Sequence, residues 1–261
     1  MKTDVSVGFI GTGGIAAAIV QGLCGAEGFK GKIFLSVHKS RMIAETLRSL
    51  APERVYITES NQEIIDKAEV IFPTLLPGML TGIVSELRFR EENHIIHVAA
   101  GMKLAEVSPL FAPAKSIIRA VPLPFASKRI GPVVFCGEDG LSCGLLSLLG
   151  LPVAADTERE LEVLASVTGI MVSYYGLVAK IVEWCCQKKM GFQNALDYTC
   201  SMNEALSALM RQECGEDVEK FMLANTTPKG MNELALNIMR STGAYEPWFK
   251  ALEEVGKHYG L

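Results

Sequence analysis

A cluster of glycines near the start of the chain is the part of the sequence best suited to chemistry. An apolar run from Val5 to Ile10 leads into it, and a segment with helical spacing of apolar residues follows. Gly11 permits a tight turn, Gly13 lets the backbone approach a pyrophosphate, and Ala16 is small enough for the helix to pack on the strand. The phosphates would rest on N–H groups at the helix N-terminus. The pattern predicts a dinucleotide-binding turn, and an ordinary strand-turn-helix without nucleotide is the alternative. Six residues are predicted to contact the cofactor here: Gly11, Thr12, Gly13, Gly14, Ile15 and Ala16.

The choice between NADH and NADPH depends on the residues at the end of the second predicted strand. A carboxylate there would bind the adenosine ribose and repel a 2′-phosphate. The chain instead has His38, Lys39, Ser40 and Arg41. Two cations, a hydroxyl and a possible helix N-terminus favour a phosphate group. The sequence therefore predicts NADPH (NADP), bound through these four residues, and the alternative is that Lys39 and Arg41 only solvate a loop.

Strand-like and helix-like patterns alternate through the first 150 residues. This alternation predicts an α/β fold in which a Rossmann-type, doubly wound parallel sheet is joined by right-handed crossovers. The predicted strands are Val5–Ile10, Lys32–Val37, Val55–Ile57, Val70–Leu75, His94–Ala99, Ile117–Val121 and Gly131–Phe135. The predicted helices are Gly14–Cys24, Ser40–Leu50, Asn61–Lys67 and Met79–Leu87.

The ends of the later strands should complete the cofactor site, because ligands of such sheets lie beyond the C-terminal strand ends. The fourth strand ends at Thr74 and Leu75. The fifth runs into Ala99, Ala100 and Gly101, and Pro122 follows the sixth. These residues are predicted to contact the cofactor as well.

The character of the chain changes after about residue 155, where strand-like runs stop. Five helices are predicted there: Glu158–Gln187, Asn194–Arg211, Glu216–Leu223, Lys229–Arg240 and Pro247–His258. Thr227 is expected to cap a helix that begins near Pro228. The domains predicted are therefore a dinucleotide-binding domain over 1–155 and an all-α dimerisation and substrate domain over 156–261. Asp156, Glu158, Glu160 and Glu162 are interpreted as a solvated helix start.

Composition narrows the class of partner. The formal net charge is -4, with 25 basic and 29 acidic residues intermingled, so no concentrated basic surface is expected to bind nucleic acid. The seven cysteines form no C-x-x-C pair, which favours reduced thiols and argues against a metal site. The first four residues run straight into a strand, so we expect no signal peptide and a cytoplasmic protein.

One apolar segment, Val163–Ala179, resembles a membrane span only superficially. It is 17 residues long, and serine, threonine and glycine residues interrupt it. A helix that is apolar on nearly all sides is otherwise buried in a core or an oligomer interface. We expect no membrane insertion and interpret the segment as the interface of a homodimer.

The order and spacing of these motifs resemble those of the pyrroline-5-carboxylate reductase family along the whole chain. Gly8 to Ile19 is similar to that family's G-F-I-G-x-G-x-M-A-x-A-I. The Ser60-Asn61-Gln62-Glu63 segment resembles one whose asparagine reaches the cofactor, which makes Asn61 a predicted cofactor contact. His97-Val98-Ala99-Ala100-Gly101-Met102 is similar to S-x-A-A-G-I. The resemblance implies hydride transfer from NADPH to a C=N bond of a small cyclic imine in proline biosynthesis, within a dimer or a larger ring of dimers.

Two segments depart from the family pattern. Where the family has R-x-M-P-N-T-P, this chain has Arg119 to Phe125, with Leu123-Pro124 in place of the Asn-Thr pair. The family's substrate loop S-P-G-G-T-T is replaced by Thr227-Pro228-Lys229-Gly230-Met231-Asn232. By resemblance, the backbone of this loop grips the substrate carboxylate and its last residue donates to the imine nitrogen. The predicted catalytic residues are Thr227, which opens the loop, Lys229 as a carboxylate partner, and Asn232 as the donor.

Two other functions compete with this hypothesis. The helix through Gly176 and Lys180 resembles that of β-hydroxyacid dehydrogenases, in which a lysine protonates a carbonyl oxygen. The chain could also be a regulatory protein that binds NADP without turnover, an alternative suggested by Leu123 and Asn232. His97, inside a predicted strand, is interpreted as a satisfied core residue rather than a ligand.

Overall fold

The computed structural model describes residues 4–36 and 41–261. Its contacts divide the chain into two compact units, Met1–Ala165 and Ser166–Leu261. The predicted boundary at residue 155 precedes this division by ten residues, because one more helix packs with the sheet unit.

The first unit is an eight-stranded sheet in the order β3-β2-β1-β4-β5-β6-β7-β8, flanked by helices. This is the predicted Rossmann-type fold. The strands are β1 Val7–Ile10, β2 Ile33–Leu35, β3 Val55–Ile57, β4 Val70–Pro73, β5 His94–His97, β6 Ser116–Val121, β7 Pro132–Cys136 and β8 Leu151–Ala155. The helices of this part are α1 Gly14–Cys24, α2 Arg41–Leu50, α3 Asn61–Lys67, α4 Pro77–Val84, α5 Leu104–Val107, α6 Gly140–Leu146 and α7 Glu158–Val167.

Apolar residues cover both faces of the sheet, as a parallel sheet between helices requires. On one face, Phe9 and Phe72 of neighbouring strands stack with ring centroids 5.0 Å apart, beneath α1 and α2. On the other, Phe89 and Phe111 meet edge to face at 5.3 Å. The strands that carry the predicted site therefore rest on a buried core from both sides.

The expectation of parallel pairing holds for every neighbouring pair except one. β6 and β7 are antiparallel, with Ala120 opposite Phe135. Only residues 122–131 connect them, including a 3-10 turn at Pro124–Lys128. A parallel crossover needs a dozen or more residues, so this connection forces the strand to reverse.

One strand was not predicted. Leu151–Ala155 forms β8 at the sheet edge, parallel to β7. Its sequence contains Pro152 and two alanines, which are poor strand formers, and proline is tolerated only where an edge leaves its missing N–H unpaired.

The second unit is helical, as expected. Its helices are α8 Met171–Gln187, α9 Phe192–Glu213, α10 Val218–Ala224, α11 Met231–Ser241 and α12 Glu246–Gly256. The predicted continuous helix Glu158–Gln187 is instead divided into α7 and α8 by a 3-10 turn at Thr168–Ile170. A Cβ on Gly169 in that turn would lie 2.8 Å from Val255 Cγ2, so α12 packs directly on the turn.

Candidate functional site

The glycine turn after β1 has the geometry that its sequence predicts. Gly11 adopts φ +95°, and a Cβ at this position would lie 2.8 Å from the Thr74 carbonyl oxygen and 2.9 Å from Leu75 Cδ2. A side chain here would therefore be strained and would collide with the end of β4. Gly11 is required for the turn and for its close approach to the neighbouring strand.

Gly13 and Gly14 differ from Gly11, because a Cβ on either would meet nothing within 4 Å. Gly13 is the N-cap of α1 and has no side chain to cap the helix, whose first backbone bond runs from the Ala17 N–H to the Gly13 carbonyl. Ala16 is fully buried behind this end of the helix. The result is an open backbone surface at a helix N-terminus, which suits a phosphate group.

Hydrogen bonds tie this turn to the end of β2. The Gly11 N–H donates to Ser36 Oγ at 2.8 Å, and the Thr12 hydroxyl donates to the Ser36 carbonyl at 2.6 Å. Both side chains are buried. The Thr12 side chain therefore holds the turn, and only its backbone is left to face a ligand.

The segment expected to bind the 2′-phosphate follows Ser36. His38, Lys39 and Ser40 lie outside the described residues. Arg41 is the first residue of α2 and is exposed, with its Nε 3.8 Å from Glu45 Oε1. An exposed ion pair at this distance is weak, so the guanidinium remains accessible to an anion.

The strand-end residues predicted from sequence share one edge of the sheet, because β1, β4, β5 and β6 are parallel neighbours. The Thr74 hydroxyl donates to the Gly11 carbonyl, and Leu75 lies against the same glycine. Beyond β5, Ala99 is buried while Ala100 and Gly101 are exposed, and Gly101 has φ +75°. Pro122 is buried after β6, and Leu123 and Pro124 begin the following 3-10 turn.

Asn61 is the first residue of α3, which Ser60 caps by accepting from the Glu63 N–H at 3.2 Å. Its Oδ1 atom is buried and accepts no hydrogen bond from the described part of the chain. A buried polar atom without a partner is costly in free energy. A ligand with a hydroxyl or amide group would satisfy it.

Arg119 forms a buried ion network that sequence reasoning missed. Its side chain is 2% exposed and donates from Nη1 to Glu158 Oε1 at 2.9 Å and to Glu162 Oε1 at 3.1 Å. Glu158 Oε1 also accepts from the Leu104 N–H at 2.9 Å. The interpretation of the acidic segment as a solvated helix start was wrong for Glu162, which is buried, and for Glu158, which pairs with Arg119. The sequence did contain a signal for this network, because Arg119 stands between apolar residues in β6. Arginine is rarely buried in such a position unless an acidic side chain pairs with it.

His97 ends β5 next to Arg119 of β6 and is fully buried. Its Nε2 lies 3.2 Å from the Met102 carbonyl, and its Nδ1 has no partner among residues 4–36 and 41–261. Burial lowers the pKa of the imidazole from 6.5 to about 4, although the Met102 carbonyl opposes this. The ring is therefore neutral at physiological pH, and it is only half satisfied by hydrogen bonds.

The three predicted catalytic residues lie in the second unit, around the start of α11. Thr227, Lys229 and Asn232 are exposed. The Lys229 N–H donates to Glu233 Oε2 at 2.6 Å, and Lys229 adopts a left-handed φ of +58° where the family motif has glycine. The predicted cap at Thr227 was wrong: Gly230 is the N-cap, because a Thr227–Gly230 backbone bond of 2.9 Å closes a turn before the helix begins.

Lys180 does not have the environment of a proton donor. It is exposed and donates to Glu183 Oε2 at 2.7 Å. The ion pair with Glu183 raises the pKa of the ammonium group, which makes it a weaker acid. The alternative that assigns a catalytic proton to Lys180 is not supported.

The described residues contain no group of three or more His, Cys, Asp or Glu side chains placed to hold a metal ion. Within the same residues, Glu158–Gln187 is long and apolar enough to cross a membrane by length and composition, because an 18-residue window inside it has a mean hydropathy of 1.5. Glu162 inside this stretch pairs with Arg119 of the sheet. Such a contact is typical of a segment folded onto a protein core.

Similarity to known proteins covers the whole chain. The family model described as NADP oxidoreductase, coenzyme F420-dependent, matches residues 6–101. A pyrroline-5-carboxylate reductase of Pseudomonas aeruginosa is 24% identical over 260 residues, which is 95% of this chain and 91% of the relative. Pyrroline-5-carboxylate reductase 2 of Rattus norvegicus is 27% identical over 95% of this chain and 81% of its own.

Solved structures show the same fold. A pyrroline-5-carboxylate reductase of Coxiella burnetii superposes with a TM-score of 0.82 at 20% identity, covering 98% of this chain and 97% of that one. The pyrroline carboxylate reductase of Plasmodium falciparum, solved with NADP bound, also gives 0.82, at 12% identity and 99% and 98% coverage. At these identities the match establishes the architecture of the two units.

Proposed function

We propose that this chain, which belongs to the pyrroline-5-carboxylate reductase family, reduces the C=N bond of a small cyclic imine with NADPH. The observation that carries the proposal is the open backbone surface at Gly13 and Gly14, at the edge where the ends of β1, β4, β5 and β6 meet. Relatives named as pyrroline-5-carboxylate reductases along 95% of the chain support the activity. The β-hydroxyacid dehydrogenase and non-catalytic alternatives are not favoured by these relatives.

The residues present fit NADPH at this edge. The N-terminus of α1 would hold the pyrophosphate, and the unpaired Asn61 Oδ1 would accept a hydrogen bond from the bound dinucleotide. When bound, the cofactor supplies the hydride. The strand order 3-2-1-4-5-6 supports an arrangement in which the adenosine half would lie toward β2 and the nicotinamide half toward β4, β5 and β6.

The preference for NADPH over NADH rests on charge. Ser36 directly follows β2 and Arg41 begins α2, with Lys39 and Ser40 between them. No carboxylate stands in this stretch to repel a 2′-phosphate. We expect Lys39, Ser40 and Arg41 to bind that phosphate.

The loop before α11 is the proposed substrate-binding element. The N-terminus of α11 attracts a carboxylate, and the Lys229 ammonium adds a positive charge to the same turn. Asn232 in the first turn of the helix would donate its amide N–H toward the imine nitrogen. An imine that is protonated in solution needs no acid from the protein, so the residues of the loop orient the substrate for hydride transfer.

Pyrroline-5-carboxylate is expected to be a poor substrate. Leu123 and Pro124 lack the amide and hydroxyl that the family motif has at these positions, and Met231 and Asn232 alter the loop that would contact its ring. A polar group of the substrate that loses its partner must still be desolvated, at a cost of about 1–3 kcal/mol. A bulkier or less polar cyclic imine suits these residues better.

The second unit is proposed to form a homodimer, which could assemble into a larger ring. Only Val178, Val182 and Ala195 form its buried apolar cluster. In contrast, large apolar side chains, including Trp184 and Phe249, are exposed along most of the helices of this unit. Exposed apolar surface of this extent is typical of an interface. Sedimentation equilibrium at low micromolar concentration should give a dimer or a multiple of it, and a monomer would contradict the proposal.

The enzyme is proposed to be soluble and cytoplasmic and to bind no nucleic acid. Its activity is tested by NADPH oxidation with a panel of cyclic imines and keto acids. Oxidation with an imine, together with formation of the corresponding amine, supports the proposal. Oxidation with a keto acid alone, or tight NADPH binding without turnover of any compound, would contradict it.

A further inference from the structure

The turn after β5 is held by side chains on both of its sides. His97 bonds to the Met102 carbonyl at its start, and the Leu104 N–H donates to Glu158 at its end. Ala99, Ala100 and Gly101 lie between these two anchors. These are the residues that the proposed function places against the nicotinamide half of the cofactor.

The hydrogen bond of His97 defines the tautomer of its ring. A carbonyl oxygen only accepts, so Nε2, 3.2 Å from the Met102 carbonyl, carries the proton. A neutral imidazole has one proton, which leaves Nδ1 as a bare acceptor. Arg119 and Glu158 are the charged groups that act on the ring, and they oppose each other. The ring is also packed near Phe111, with centroids 6.5 Å apart.

This anchor is particular to the present sequence. The family motif has serine at the place of His97, and a serine hydroxyl is one bond from Cβ, whereas Nε2 is three bonds away. A serine at this strand position would therefore fall short of the Met102 carbonyl that the imidazole contacts. The exposed Ala100 and Gly101 would then lose one of the two restraints on their position.

We propose that His97 is a positioning residue for the cofactor: its Nε2–H fixes the Met102 carbonyl and so sets the place of Ala99, Ala100 and Gly101 against the nicotinamide half. The inference rests on the proposed function, because it requires a dinucleotide at this edge of the sheet. His97 acts through the turn and contacts neither the hydride nor the substrate.

Two substitutions of similar size separate positioning from packing. In His97→Gln, the amide nitrogen is three bonds from Cβ, as Nε2 is, and it can donate to Met102. In His97→Asn, the amide nitrogen is one bond shorter and cannot. Both variants therefore carry a polar amide, but only the glutamine side chain is long enough to contact the Met102 carbonyl.

The experiment measures binding of two ligands to the full-length protein by calorimetry. NADPH spans both halves of the site, whereas adenosine 2′,5′-bisphosphate occupies only the adenosine half. His97→Asn should raise the Kd of NADPH about tenfold and leave that of the bisphosphate unchanged, while His97→Gln keeps both close to those of the unaltered protein. Parallel changes for the two ligands, or equal behaviour of Asn and Gln, would overturn the inference.

A measurement on the unaltered protein gives an independent test if the variants fold poorly. Nitrogen NMR of labelled histidine in the unaltered protein should show one ring, assigned to His97, that stays neutral and protonated on Nε2 when the pH is lowered to about 5. Its resonances should shift with NADPH and not with the bisphosphate. The opposite tautomer, or equal shifts with both ligands, would contradict the inference. Failure of the unaltered protein to bind either ligand would instead refute the proposed function.

Discussion

Alanine substitutions at Gly11 and Gly13 should affect different properties. Gly11→Ala should lower the stability of the fold, whereas Gly13→Ala should weaken cofactor binding. The two glycines are two residues apart in one turn, yet their surroundings differ. At Gly11 a Cβ would approach the Thr74 carbonyl to 2.8 Å, and φ is +95°. At Gly13 a Cβ would meet nothing within 4 Å, and the backbone at φ -93° is one that alanine adopts readily.

The magnitudes follow from these environments. For Gly11→Ala, the left-handed backbone costs about 1–2 kcal/mol and the collision about 1–3 kcal/mol, because the Thr74 carbonyl belongs to a strand end that a Thr74–Ile10 backbone bond holds in place. We expect the free energy of unfolding to fall by about 2–5 kcal/mol. For Gly13→Ala, we expect a change within about 1 kcal/mol, because alanine restricts the unfolded chain but is a poorer N-cap than glycine, and these two effects oppose each other.

Gly13→Ala should instead weaken cofactor binding. The methyl group of Gly13→Ala would occupy the space in which a pyrophosphate approaches the backbone, so the Kd of NADPH should rise at least about tenfold, or about 1.4 kcal/mol. Urea unfolding and calorimetric titration measure the two quantities. Gly82→Ala is the matched control, because its Cβ also meets nothing within 4 Å but it lies in α4. Unchanged NADPH affinity in Gly13→Ala would refute the location of the cofactor.

Three further predictions concern stability, and urea unfolding measures each of them. Arg119→Met should destabilise the protein by about 3–5 kcal/mol, because Glu158 and Glu162 would lose the guanidinium that offsets their negative charge, and a loss below about 1 kcal/mol would contradict the buried network. Stability should fall as pH falls from 6.5 to about 4, by at most about 3 kcal/mol from His97. In that window the unfolded chain binds a proton that the folded protein does not, and His97→Gln should remove this component. Lys229→Gly should stabilise the protein by up to about 1 kcal/mol because it relieves a left-handed backbone, whereas Lys229→Ala, which also loses the charge, should not.

The sequence predicted most of the sheet unit because local signals were strong there. The helix Gly14–Cys24 and the strand Val55–Ile57 begin and end where periodicity and glycines place them. Leu151–Ala155 could not be found in this way, since a short strand with proline and alanine lacks the β-branched pattern and forms by pairing with β7. The antiparallel direction of β7 follows from the short connection between β6 and β7. The length of that connection can be determined only when the bounds of both strands are known.

The glycine turn was predictable because its chemistry is local, whereas the ion network was not. Arg119 is separated by about 40 residues from its partners Glu158 and Glu162, and their pairing depends on where α7 packs. Spacing along one element cannot reveal a contact of this kind. Asn61 was suggested by family resemblance, and the unpaired state of its Oδ1 is a fact of the fold.

Hydride transfer from NADPH to a cyclic imine is the reaction proposed for this chain. The most direct measurement is the rate of NADPH oxidation by the purified protein with pyrroline-5-carboxylate and with larger cyclic imines, together with chemical identification of the amine formed. We expect turnover of at least one larger imine, a kcat/KM for pyrroline-5-carboxylate below about 10⁴ M⁻¹s⁻¹, and loss of turnover in Asn232→Ala. Turnover of no imine would contradict the claim, and efficient reduction of pyrroline-5-carboxylate would contradict the role given to Leu123, Pro124 and Asn232.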